Sequence, residues 1–370
     1  MGTHYFSDSY EESRAVFRDF LDNVRAKWPQ ARLTSKMIGE ENDNTIDMIS
    51  AEALEENEKV IFLSCGEHGI EGYAGAASIQ LFVEEFMDKI DPSDTGICLI
   101  HAINPWGMRH FRRVTENNID LNRNYIYNRS SLPKDINKHY EKAEELFNPA
   151  GRIKDLNLEK TELYRQLTKG IFKEGYGGLQ EAKKMGQYEF KKGVYYGGDA
   201  AEENTLFMKQ IQQDMLDKYQ RVVHMDWHTA LGPAKEMTMV LPEKDERDTN
   251  QVKEQYDMKH VVRSSGEDIK GDSHHYFYQI QEDFPDTYLF SALFEFGTFG
   301  EGKKAELREL MTIVFENQLY WEGAVKEEDR RYILDEMIAM FYPQEQDWKD
   351  SVIKEARHGL QSILNAEGFL

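Results

Sequence analysis

The stretch Val60-Ile61-Phe62-Leu63-Ser64-Cys65-Gly66-Glu67-His68-Gly69-Ile70-Glu71-Gly72-Tyr73 limits the fold more than any other part of the chain. Its first six residues are mostly apolar and partly β-branched, the pattern of a strand buried on both faces. The run breaks at Gly66, and glycines at 66, 69 and 72 allow a sharp turn and a close backbone approach. From Ala74 the text is small and helical, with Ile79, Leu81, Phe82 and Phe86 as its apolar side. His68 and Glu71 therefore sit where a central strand hands over to a helix. In an open α/β sheet that edge is where ligands bind. Imidazole nitrogen and carboxylate oxygen are both zinc ligands, and H-x-x-E spacing lets the two converge on one ion.

A chain of 370 residues is long enough for one large α/β domain or two smaller ones. No run approaches eighteen apolar residues, so no membrane span is expected, and the N-terminus lacks the basic and apolar regions of a signal peptide. Cys65 and Cys98 both fall inside apolar strand-like runs. Free buried thiols and a cytoplasmic location are expected. A net charge of −22 argues against nucleic acid and against anionic membranes as partners. It also makes clusters of arginine stand out.

Taken in order, residues 7–28 read as an amphipathic helix capped by Ser7 or Ser9. Residues 33–38 and 45–50 read as a hairpin around a polar turn. The helix after Glu71 ends near Asp91-Pro92, and 96–103 is the next buried strand, which makes a right-handed parallel crossover. Just past it come Asn104-Pro105, then Arg109, Arg112 and Arg113, then Asp120-Leu121-Asn122-Arg123-Asn124. Arginine's planar fork suits carboxylates and carbonyl oxygens. Residues from about 129 to 218 lack β pattern and read as a helical insertion over the site. Further strands are expected at 221–228, 237–241, 276–280 and 288–297. Glu295 is a lone acid on the last of these, and burying it unpaired would cost several kcal/mol.

The expected fold is α/β: a mixed, largely parallel twisted sheet of about eight strands with helices on both faces, a helical insertion and C-terminal helices. A catalytic domain is expected over residues 1–318, with helices at 319–370 as an extension packed on it or on a neighbouring subunit of a homo-oligomer.

Read together, His68, Glu71, His228 and Glu295 at three strand ends resemble the zinc carboxypeptidase family. Asp120-Leu121-Asn122-Arg123 is similar to that family's D-x-N-R motif, and Asn104-Pro105 to its N-P. The chain is most similar to a mainly bacterial branch, through Tyr5-Phe6-Ser7-Asp8-Ser9-Tyr10, Arg112-Arg113-Val114-Thr115-Glu116-Asn117 and Tyr196-Gly197-Gly198. These motifs run from residue 5 to about 300.

The resemblance implies zinc held by His68, Glu71 and His228, with Glu295 as general base. It implies that Asn122 and Arg123 grip a substrate's terminal carboxylate and that Asp120 backs His68. The arginine that polarises the scissile carbonyl does not map by spacing among Arg109, Arg112 and Arg113; Arg113 is chosen as nearest the motif, with Arg112 second. Tyr276 is taken as a substrate-binding tyrosine, with Tyr278 beside it. Three protein ligands leave zinc an open position, and zinc lowers the pKa of water to about 7. The expected activity is a metallocarboxypeptidase acting on small peptides with a free carboxylate. The alternatives are a deacylase of N-acyl amino acids, related to aspartoacylase, and a non-catalytic zinc scaffold, against which Glu295 and Arg123 speak.

Overall fold

Four apolar runs become the parallel centre of one sheet. The computed structural model describes residues 3–41, 43–133, 136–264 and 271–370. Its strands are β1 (Arg32–Met37), β2 (Thr45–Ala51), β3 (Lys59–Cys65), β4 (Thr95–His101), β5 (Arg221–Ala230), β6 (Met237–Leu241), β7 (His260–Arg263) and β8 (Tyr288–Gly297). They form one eight-stranded sheet in the order β1-β2-β4-β3-β5-β8-β6-β7. Neighbours from β4 through β3 and β5 to β8 run parallel, as do β6 and β7. The pairs β1–β2, β2–β4 and β6–β8 are antiparallel. Because β4, β3, β5 and β8 point the same way, their C-terminal ends share one edge, and the candidate residues of the site cluster there.

Each face of the sheet has its own apolar core. On one side Ile61, Leu63, Cys65, Met225 and Trp227 pack with the helices Tyr10–Lys27, Gly72–Glu85, Glu327–Phe341 and Gln346–Ala366. Ser9 caps the first of these by accepting from the Glu12 amide. On the other side Val60, Phe62 and Val222 pack with the helices Glu203–Lys218 and Ser273–Gln281. A third cluster joins the insertion helix Leu156–Met185 to Leu310, Val314 and Phe315 of the helix Lys303–Glu322. The position expected to begin a C-terminal extension, 319, lies inside that last helix. Trp348 and Val352 beyond it belong to the same core as Trp227.

Two strand assignments differ from expectation. Residues 276–280 are helical, within Ser273–Gln281, because Asp272 caps the segment through the His275 amide at 2.6 Å. Phe277 and Ile280, three apart, then bury on one helical face. The eighth strand is instead β7, a four-residue edge strand too short to show a period of its own. Cys65 and Cys98 are buried and free. Among the described residues no helix is long and apolar enough to cross a membrane.

Candidate metal centre and substrate cavity

Past β3, Gly66 takes φ +73, a left-handed conformation that glycine adopts without strain. His68 is extended, and Gly69–Glu71 form one turn of 3₁₀ helix, which stacks side chains three residues apart. Gly69 packs so close to the chain after β4 that a Cβ there would lie 2.1 Å from the Gly107 carbonyl carbon. The turn is bonded to the arginine segment by Gly69 N–H to Arg113 O at 3.1 Å and Ile70 N–H to Arg112 O at 3.0 Å. The glycines of the motif thus bring the arginine segment beside His68.

His68 Nδ1 lies 2.9 Å from Glu71 Oε1, and His228 Nδ1 lies 3.1 Å from Glu71 Oε2. The three residues are buried, and their ligand atoms all lie within 4.8 Å of one another. Both outer ring nitrogens meet carboxylates: His68 Nε2 is 3.2 Å from Asp120 Oδ1, and His228 Nε2 is 2.9 Å from Asp226 Oδ2. This is how proteins orient metal-binding histidines, with the outer N–H donated to a carboxylate and the inner nitrogen free for the ion. The donor set suits zinc. Burial would raise the Glu71 carboxyl, but His68 and His228 beside it hold it down at about 2. Burial acts on Asp120 the same way, and Arg113 overcomes it.

Glu67, Asp226 and His228 form a second such group on the outer side of the His228 ring. Of the two groups only the first reaches the cavity, through His68 and Glu71; His228, common to both, is not part of its lining. Glu67 Oε2 is 3.8 Å from His228 Nε2, and neither of its oxygens has a hydrogen-bond partner. Burial first, then Asp226, pushes Glu67 well above the usual carboxylate range, which favours the neutral acid there.

The cavity measures about 440 Å³ and also contains Arg113, Asn122, Arg123, Lys183, Tyr195 and Leu293. Glu295 stands opposite His228 in the β5–β8 register. Burial, then the charge of Glu71, pushes its carboxyl up to about 8.

The four arginines separate by partner. Arg109 pairs with Glu11 at 2.8 Å. Arg112 makes a two-pronged bond to Glu316, at 2.6 and 3.2 Å, and lies over the Tyr320 ring, away from the site. Arg113 pairs with Asp120, the carboxylate that meets His68 Nε2, and so holds the metal ligand through Asp120 while lining the cavity. Arg123 has no carboxylate partner among the described residues. Its Nη1 donates to its neighbour's carbonyl, Asn122 O, at 2.7 Å, and its Nε is buried without an acceptor. Asn122 Oδ1 accepts from the Ser273 amide at 3.0 Å. Gly186, at the end of the insertion helix, packs against the Arg123 side chain.

Tyr276 does not line the cavity. Its helical setting turns it toward Tyr125, Tyr127 and Lys209. Tyr278 bonds Asp245 at 3.2 Å. The tyrosine that does line the cavity is Tyr195, from the insertion; its hydroxyl is buried without a partner and its backbone has φ +59. Sequence reasoning passed over Tyr195 and Asp226. Asp226 had a signal: two residues before His228 on a strand, it must share that face.

The chain belongs to the family described as "Protein of unknown function (DUF2817)", whose model matches residues 6–355. No curated protein matches it. Among solved structures, bovine thrombin-activatable fibrinolysis inhibitor, in complex with tick carboxypeptidase inhibitor, aligns over 97% of this chain and 99% of its own, at 12% identity and TM-score 0.47. Carboxypeptidase A from Helicoverpa armigera covers 91% of this chain and 74% of its own at 12% identity and TM-score 0.45. A candidate metallopeptidase of Shewanella amazonensis covers 85% and 92% at 10% identity and TM-score 0.41. Likeness of this size carries no functional weight, which rests on the residues of the site.

Proposed function

We propose that this protein is a zinc-dependent hydrolase of peptide or amide bonds, acting as a carboxypeptidase on small substrates that carry a free carboxylate. One observation carries the reading. Arg123 is the one arginine of its cluster without a carboxylate among the described residues, and it shares a cavity with His68, Glu71 and Glu295. A buried guanidinium in a protein of net charge −22 would find a carboxylate on its own chain at little cost. Leaving Arg123 unpaired suits a carboxylate that arrives with the substrate.

Zinc at His68, Glu71 and His228 supplies Lewis acidity toward the scissile carbonyl and acidifies water. Asp120 and Asp226 hold the two imidazoles with their Nδ1 atoms toward Glu71. Arg123 and Asn122 seat the substrate carboxylate and so fix which bond reaches Glu295. Glu295 takes a proton from the attacking water and returns it to the leaving nitrogen. A carboxyl shifted toward neutral pH is suited to both transfers. Arg113 holds Asp120 and adds positive charge near the developing oxyanion.

The test is Arg123→Ala assayed on matched peptides with free and amidated C-termini, and on N-acyl amino acids. The loss in kcat/KM should be large for every substrate with a free carboxylate and small for the amides. Equal losses in both series, with a lower melting temperature, would make Arg123 a structural brace and remove the carboxypeptidase reading. Among free-carboxylate substrates, turnover of N-acyl amino acids over peptides would favour the deacylase.

A further inference from the structure

Behind the His228 ring a row of polar side chains crosses the sheet face that Val60, Phe62 and Val222 otherwise make apolar. Ser64 pairs in register with Asp226 between β3 and β5, and His224 with Ser291 between β5 and β8. His274 joins them from the helix Ser273–Gln281, its ring stacked on that of His224 at 5.0 Å. All five are buried to 1% exposure or less. Burying so many polar groups in an apolar layer is costly unless each bond is made with the right partner.

We propose that Asp226 is a positioning residue for His228, and that the row Ser64–His224–Ser291–His274 fixes the proton on each ring so that His228 presents Nδ1 to the metal. The inference rests on the hydrolase reading only in taking zinc as the ion at His228.

The direction of every bond in the row follows from one end. An ionised aspartate only accepts. Asp226 Oδ1, 2.6 Å from Ser64 Oγ, therefore takes the serine's one proton. Ser64 Oγ is then left to accept from His224 Nε2, 2.8 Å away, which makes His224 the Nε2–H tautomer. His224 Nδ1 must in turn accept, and Ser291 donates to it across 2.9 Å. Ser291 Oγ then accepts from His274 Nδ1 at 2.6 Å. The proton that bond needs lies on His274 Nδ1. His274 Nε2 is buried with no hydrogen-bond partner, 3.7 Å from Asp226 Oδ2. Run in the opposite direction, the row would leave Ser64 and Asp226 facing each other at 2.6 Å with no proton between them.

Asp226 Oδ2 is thus free to accept from His228 Nε2 at 2.9 Å, and His228 Nδ1 is left as the ligand atom beside Glu71. Glu67, 3.8 Å from the same Nε2 and without a hydrogen bond to it, does not compete for the proton. His68 has Asp120 behind it in a single step, itself paired with Arg113, whereas His228 is held by a row that spans three strands and a helix.

The experiment measures zinc affinity of the full chain by competition with a chromophoric chelator, for wild type, Asp226→Asn and Ser64→Ala. Ring-nitrogen shifts of ¹⁵N-histidine are recorded on the zinc-loaded wild type. Asp226→Asn should lose about 10- to 100-fold in zinc affinity, the usual effect of removing a ligand's carboxylate partner, and Ser64→Ala about tenfold. The shifts should show His224 protonated at Nε2 and His274 at Nδ1. A purely structural role for the row would leave zinc affinity unchanged in a folded variant. Affinity within twofold of wild type in both variants, or a His224 proton on Nδ1, overturns the inference alone. A wild-type chain that binds no zinc overturns the hydrolase reading together with it.

Discussion

His228 and Glu295 are register partners on the adjacent parallel strands β5 and β8. A candidate metal ligand and the candidate base are thereby held by the same ladder of backbone hydrogen bonds. Neither lies on a mobile connection, so their spacing is a property of the sheet.

Glu295→Gln should keep zinc and lose turnover by about 10² to 10⁴, the range for removing general acid–base help. The amide keeps the shape of the side chain and cannot take a proton. Elemental analysis beside steady-state kinetics checks it; wild-type turnover would place the base elsewhere.

One zinc per chain is expected, and His68→Ala should abolish it. A ligand that binds only the folded state stabilises it, by about 2.7 kcal/mol at a hundredfold excess over its Kd. Chelator should therefore lower the melting temperature of wild type and leave that of His68→Ala unmoved. Full metal content in His68→Ala would rule out the proposed ligand set.

Tyr195→Phe separates function from stability. The hydroxyl it removes is buried and unpartnered, so deleting it should cost the fold nothing and even stabilise it slightly. If that hydroxyl faces substrate in the cavity, kcat/KM should still fall about tenfold, the scale of one neutral hydrogen bond. Unchanged kinetics would leave Tyr195 as a wall of the cavity.

His101 makes stability depend on pH through a group outside the cavity lining. It is fully buried, bonded to Ser13 at 2.8 Å, and burial lowers its pKa from 6.5 to about 4 against the pull of Asp47. Between those values the unfolded chain binds the proton and the folded chain does not. The contribution is complete above about pH 6.5 and is lost as pH falls toward 4, to a total of about 3 kcal/mol. Urea midpoints of wild type and His101→Gln at pH 7 and pH 4.5 measure it. The variant should lose less stability on acidification; equal losses would assign the effect to other groups.

The parallel centre of the sheet and the strand-end positions of His68, Glu71, His228 and Glu295 were legible in the sequence. Apolar runs that stop at glycine, or carry one polar residue near their end, are local features, and backbone sterics translate them directly into strands, turns and sheet edges. Partner choice was not legible. The sequence holds four arginines in one short segment. Only the tertiary structure assigns Arg112 to Glu316, 204 residues away, leaves Arg113 to Asp120, and keeps Arg123 without a carboxylate among the described residues. The aromatic run at 276–280 has the composition of a strand, but the Asp272 cap and the burial of Phe277 and Ile280 on one side make it a helix. That choice turns Tyr276 away from the cavity, which is lined instead by Tyr195, delivered by the insertion from a distant part of the chain. Charge pairing and packing are set by distances in space that sequence spacing does not encode.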